Sequence, residues 1–209
     1  HVVQDAEELS VQFINDKTAD ATVKGSSEAR DIAIISIPLK SLDDETLSQI
    51  KLATIGDSNE MKVGNGVIAI GNALGYGQSV TTGVISALNR KVSIENSSNK
   101  MIQIDAAING GNSGGALLNS KGEVIGINSA KYSSSGSSTQ ASIEGMGFAI
   151  PISDVKDLIT QLMNGETPQE AQKGYLGVQG SMTTNITNAS KDMPTGFYIT
   201  SVVTGGGAA

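Results

Sequence analysis

Short apolar runs rich in β-branched residues, bounded by turn residues, recur along this chain, with strict alternation near its start. Leu9, Val11 and Phe13 alternate with polar neighbours. Asn15-Asp16-Lys17 then turns the chain, and Ala21-Thr-Val-Lys24 leads into Gly25. Asp31-Ile-Ala-Ile-Ile-Ser-Ile37 is a β-branched run, too short and too β-prone for a helix, and is predicted to be a strand. Val67-Ile-Ala-Ile70, the segment from Val80 to Ala87, Ala116-Leu-Leu118, the segment from Glu123 to Asn128 and Gly147-Phe-Ala-Ile150 continue the pattern. Asn119-Ser-Lys-Gly122 supplies a hairpin turn between the third and fourth of these. Helical signals occur twice. Residues 41–50 are predicted to form one or two turns capped by Ser41 or Asp43. After Ser153, the predicted cap, Val155, Leu158, Ile159 and Leu162 recur at i, i+3, i+4 and i+7, and this helix ends before Gly165. Residues 91–100 and the serine-rich stretch 133–142 are loops by composition. The expected fold class is all-β with a closing helix.

Composition sharpens this picture at a few points. The 25 glycines, with aromatic residues at only 3%, suit tight turns around an aliphatic core, and 209 residues suffice for one sizeable domain or a domain plus a fragment of another. A formal charge of −7 argues against nucleic acid or an anionic membrane as partner. With no cysteine and a single histidine, neither a disulfide frame nor a zinc site is expected, and no cofactor is called for. Gly71-Asn-Ala-Leu-Gly75-Tyr-Gly77 lacks both the P-loop lysine and dinucleotide spacing, so it is read as a glycine-rich turn.

Candidate chemistry centres on Ser113, in Asn109-Gly-Gly-Asn-Ser113-Gly-Gly115. Flanking glycines free the backbone to aim two N–H groups at one point beside the hydroxyl, the outline of an oxyanion hole. A serine hydroxyl needs a base, usually an imidazole oriented by a carboxylate. The only histidine is His1. Gly111-Asn-Ser113-Gly-Gly115 fits the G-x-S-x-G elbow, but that fold needs a histidine after the serine. The subtilisin order needs an aspartate ahead of the histidine. The order His, Asp, Ser remains. Asp31 is the favoured carboxylate because it opens an apolar strand that can shield it. Asp20, Asp57 and Asp105 are weaker rivals.

These residues carry a family resemblance. His1-Val-Val3, Asp31-Ile-Ala-Ile34, Gly64-Asn-Gly-Val-Ile-Ala-Ile-Gly-Asn-Ala-Leu-Gly75, Val80-Thr-Thr-Gly-Val-Ile-Ser-Ala87, the stretch from Gln103 to Gly115, Gly122-Glu-Val-Ile-Gly-Ile-Asn128 and Gly147-Phe-Ala-Ile-Pro151 occur in the order found in bacterial trypsin-like serine proteases of the HtrA (Deg) class. The chain departs from that pattern at Ala73, Gly110 and Ala116, where many members carry proline. That loosens loops without removing a catalytic group. The resemblance implies a chymotrypsin-like double antiparallel β-barrel, with the first barrel incomplete at its N-terminus, over residues 1–165. A linker is expected at 166–174 and the start of a PDZ domain at 175–209. It implies a His1, Asp31, Ser113 triad, an oxyanion hole from the N–H groups of Gly111 and Ser113, and substrate contacts at Ala107, Ile108, Ser129 and Phe148. It further implies unfolded polypeptides as substrates, C-terminal peptides at the PDZ part, a homo-oligomer (a trimer in the intact parent) and an extracytoplasmic, cell-envelope location. On this reading both ends look cut, and the chain by itself is expected to be a poor protease. The competing expectation is a peptide-binding or chaperone-like module that does not cut.

Overall fold

The computed structural model describes residues 1–72, 77–94, 97–129, 145–166, 178–182 and 196–202. The predicted low-complexity loop 133–142 and most of the predicted linker lie outside them. The chain divides into two compact units, His1–Pro168 and Gln169–Ala209.

The first unit begins with two hairpins. Strands β1 (Ser10–Gln12) and β2 (Thr18–Asp20) pair antiparallel, and so do β3 (Thr22–Ser27) and β4 (Ile32–Ser36). Helix α1 (Asp44–Gln49) follows, then β5 (Gly66–Gly71), β6 (Ser79–Ile94), β7 (Ser97–Ile104), β8 (Ala116–Asn119), β9 (Val124–Asn128) and β10 (Gly147–Pro151). These six strands close an antiparallel barrel in the order β10-β7-β6-β5-β8-β9. Residues two apart on a strand share a face, and the inward faces explain the closure. Val67 and Ala69 from β5, Ile85 from β6, Ile102 and Ile104 from β7, Leu117 from β8, Ile125 from β9 and Ala149 from β10 all point into one buried cluster. Each full burial of an isoleucine or leucine side chain contributes about 1.5–3 kcal/mol.

A second cluster fastens the β3–β4 hairpin to the barrel. Helix α2 (Ile152–Met163) buries Ile152, Val155 and Leu162 against Ile32, Met101, Phe148 and Ile150. Leu158 and Ile159 pack on its edge, so the predicted apolar stripe is the face that docks. The helix ends as its sequence suggests. Gly165 takes a φ of 75°, its N–H donates to the Leu162 carbonyl, and the Glu166 N–H donates to that of Gln161, a Schellman arrangement.

Two expectations need correction. Ser153 does not cap α2, because Pro151 holds the N-cap position without a side-chain hydrogen bond. Ser153 lies within the first turn, and its Oγ accepts from the Ser58 N–H (2.9 Å) and donates to Asp57 Oδ1 (2.8 Å). A serine offered partners on a neighbouring segment uses them instead of its own helix. Within the predicted loop 91–100, the described residues 91–94 and 97–100 are strand by backbone pairing. Lys91↔Lys100, Val92↔Asn99 and Ser93↔Ser98 extend the β6–β7 ladder into a long ribbon. A two-stranded ribbon satisfies its backbone along its shared edge, and an apolar face is not required for that.

At α1, Asp43 is the cap: its Oδ1 accepts from the Thr46 N–H at 2.8 Å, and its other oxygen bonds the Lys17 ammonium. The Lys17 ammonium first, and the Thr46 N–H after it, hold the Asp43 carboxyl down at about 2, against an ordinary 3.8. A depressed folded-state pKa means stability that is present above the unfolded value and lost as pH falls toward the folded one. The urea midpoint of the protein is therefore expected to exceed that of Asp43→Asn at about pH 6, with the gap closing as pH approaches about 2. Asparagine keeps the cap, so the gap isolates the charge. A gap independent of pH would refute this account.

In the second unit, β11 (Val178–Met182) and β12 (Phe197–Val202) form an antiparallel hairpin with a register shift between Gln179 and Gly180.

Candidate active site

Asp31 is delivered by the β3–β4 hairpin. The loop closes through the Asp31 N–H to the Glu28 carbonyl (3.1 Å), and Asp31 itself takes a φ of 57°, a left-handed conformation that aspartate tolerates better than most residues. Its side chain is only 5% exposed. It faces His1, whose Nδ1 lies 2.8 and 2.9 Å from the two carboxylate oxygens. An ionised carboxylate only accepts, so Nδ1 carries the proton of this bond and Nε2 is left with its lone pair. The main-chain nitrogen of His1 also donates to Asp31 Oδ1 at 2.8 Å. Ser129, fully buried, donates from Oγ to Asp31 Oδ2 through a longer bond of 3.4 Å. Asp31 thus has three donors around it in a shielded position.

Ser113 sits on two consecutive turns. The Asn112 N–H donates to the Asn109 carbonyl (3.1 Å) with Gly111 at a φ of 96°, and the Gly115 N–H donates to the Asn112 carbonyl (3.0 Å) with Gly114 at a φ of 83°. An i to i+3 bond with positive φ at the third residue is the type II pattern, which requires glycine there. Ser113 occupies the second position of the second turn. Gly115 answers a different demand: a Cβ there would lie 2.0 Å from the Ile70 carbonyl oxygen, so only glycine lets the turn approach β5 so closely.

His1, Asp31, Ser113 and Ser129 line one cavity of about 360 Å³, walled on its apolar side by residues including Ile32, Ile34, Ile127, Ile150 and Ile159. Two of the rival carboxylates are engaged elsewhere. Asp57 accepts from the Asn59 N–H and from Ser153, and these bonds, led by the first, hold its pKa below the ordinary value. Asp105 Oδ1 accepts from the Val84 N–H at 2.6 Å.

The other expected site residues are dispersed. Gly111 is exposed on the first turn. Ala107 is exposed, and its carbonyl accepts from Thr81 Oγ1 (3.0 Å) and Asn112 Nδ2 (3.2 Å). Ile108 is buried in the barrel core, and Phe148 is buried in the cluster beneath α2. Of the four residues named for substrate contact, Ser129 alone lines the cavity around His1 and Ser113.

Sequence reasoning missed Asn112 and Asn128, which are 2% and 1% exposed. Each directs its amide nitrogen at carbonyls, and each has an Oδ1 without a partner among the described residues. Polar side chains buried to this extent are held by what they bond, and here both amides satisfy main-chain carbonyls beside the Ser113 segment. The available signal was a polar residue closing the apolar run Val124-Ile-Gly-Ile127.

Fold and site together are those of a trypsin-like peptidase domain, and the chain belongs to that family: its Trypsin-like peptidase domain profile matches residues 1–127. Within the family, the chain is similar to serine proteases of the HtrA/Deg type. It is 41% identical over 186 residues to the Serine protease Do-like HtrB of Bacillus subtilis (strain 168), a match spanning 86% of this chain and 37% of that protein. It is 39% identical over 212 residues to the Periplasmic pH-dependent serine endoprotease DegQ of Escherichia coli (strain K12), spanning 100% of this chain and 43% of that protein. Among solved structures, HtrA-type protease AlgW with decapeptide superposes with a TM-score of 0.70 at 31% identity, covering 99% of this chain and 59% of that one. The chain thus spans less than half the length of these two curated relatives.

Proposed function

We propose that this chain is the catalytic part of a serine endopeptidase. The observation that carries the reading is the His1–Asp31 pair, with Nδ1 at 2.8 Å from the carboxylate, in the same cavity as a serine on a glycine-framed turn. Ser113 Oγ attacks the substrate carbonyl carbon while His1 Nε2 accepts its proton. The N–H groups of Gly111 and Ser113 hold the oxyanion. The imidazolium, stabilised by Asp31, then protonates the leaving amine as the C–N bond breaks. Water repeats the sequence on the acyl-enzyme, returning the serine. The names of the relatives, which are serine proteases, support the same reading.

The finer parts of the reading rest on family likeness. Substrates are unfolded or damaged polypeptides, and the parent is a homo-oligomer, a trimer, outside the cytoplasm in the cell envelope, as the word periplasmic in a relative's name suggests. Among the described residues no helix is long and apolar enough to cross a membrane. Residues 1–165 are the protease domain, 166–174 a linker and 175–209 the start of a PDZ domain that takes C-terminal peptides. The AlgW protease was solved with a decapeptide, which is consistent with peptide recognition in this class. On the family pattern, which puts no acidic residue beside the P1 side chain, small aliphatic P1 residues are preferred, by only ~1–3 kcal/mol per methylene.

Two measurements on the full-length protein test this. A fluorophosphonate probe is expected to label Ser113, and a peptide library is expected to be cut after valine or alanine. Absence of label in a folded protein that still binds peptide would leave a non-cutting recognition module. A profile led by arginine or lysine would overturn the specificity.

A further inference from the structure

We propose that Asn128 is a positioning residue for Ser113, an inference that rests on the nucleophile assignment above. Asn128 ends β9, and every polar group it offers, apart from Oδ1, goes to the segment that carries the serine or to the strand beneath it. Its N–H donates to the Gly115 carbonyl (2.9 Å), and its carbonyl accepts from the Gly114 N–H (3.0 Å). Its Nδ2 donates to the Ala116 carbonyl (3.1 Å) and to the Ile70 carbonyl on β5 (3.2 Å). The three residues that follow Ser113 are therefore all bound to Asn128.

The side-chain amide has a specific task. The β5–β8 ladder ends at Ala69↔Leu117. One step further, the chains carry the Ile70 and Ala116 carbonyls, and these receive the two N–H bonds of a single primary amide instead of continuing the ladder. The ladder is thereby closed off at the place where the chain departs into the turn of Ser113. No aliphatic side chain can donate there, and the two acceptors fix which end of the amide faces them. The following residue, Ser129, bonds Asp31. One dipeptide consequently ties the nucleophile's turn and the carboxylate to the same strand end, setting their separation through main-chain geometry.

The test uses the full-length protein with Asn128→Asp, which keeps the shape and turns a carboxylate toward two carbonyls, and Asn128→Thr, which keeps one short donor on a strand-compatible frame. Fluorophosphonate labelling is followed as a time course. Its amplitude counts folded, competent molecules and its rate constant reports how well each is aligned. The aspartate variant is expected to lose roughly tenfold or more in rate constant and in kcat, since small misplacements of reacting groups are costly, with KM little changed. The threonine variant is expected to fall between it and the parent. A purely architectural role would instead lower the amplitude or the melting temperature and leave the rate constant of each labelled molecule unchanged, and that result overturns the inference. An unlabelled parent would overturn the endopeptidase reading as well. A labelled parent with unaffected variants would overturn this inference alone.

Discussion

Ser113→Ala is expected to abolish peptide hydrolysis in the full-length protein while leaving peptide binding intact. The turn that presents residue 113 is built from main-chain bonds and from glycines at φ 96° and 83°, none of which involves the serine hydroxyl, so alanine enters the same conformation. The substitution then removes the nucleophile and keeps the turn. Deleting one member of a serine triad costs on the order of 10⁴ to 10⁶ in kcat, because the remaining members cannot act without it. Casein turnover measured beside peptide affinity checks this. Residual activity within about tenfold of the parent would remove Ser113 from the mechanism.

The second large effect is expected from Asp31→Asn. The amide has nearly the volume of the carboxylate and can occupy the same shielded place, with the side chain only 5% exposed. Its effect is on the ring of His1. Facing an amide that turns its NH2 toward Nδ1, the imidazole moves its proton to Nε2 and loses the lone pair that must accept from the serine. The charge that stabilises the imidazolium is lost too. A fall of roughly 10⁴ in kcat at neutral pH follows from the wrong tautomer, with KM little altered. A decline of less than about tenfold, measured on a variant with a parental circular-dichroism spectrum, would show that Asp31 does not orient the base.

Both predictions concern residues that stand out locally in the sequence. Asp31 opens an apolar run and Ser113 lies among glycines; the single histidine restricts the order to His, Asp, Ser. The strands of the barrel were legible for the same reason, since short β-branched apolar runs between turn residues are local, and so was the face of α2, whose Val155, Leu158, Ile159 and Leu162 share one side at helical spacing. Turn chemistry was local as well: Asp43 at the start of α1 and Gly165 after the end of α2 act through bonds to residues three or four positions away.

Tertiary structure decided what depends on partners distant in sequence. Ser153 turns to Asp57 and Ser58, 96 and 95 residues away, because they are presented to it across the packed surface. Residues 91–94 and 97–100 are strand because each segment finds the other as its ladder partner, which their polar composition does not reveal. Ile108, past the end of β7, and Phe148, on β10, are neighbours of the site by family pattern but have their side chains in the two cores, where burial of apolar surface holds them. The role of Asn128 is invisible in Val124-Ile-Gly-Ile-Asn128 alone, because the carbonyls that need its amide belong to Ile70 and Ala116. Residue pattern determined which segments are strand, turn and helix through short-range sterics and burial. Which polar groups meet at the site was determined by closure of the barrel and by docking of the β3–β4 hairpin on it through the second cluster, which bring residues far apart in sequence within hydrogen-bonding distance.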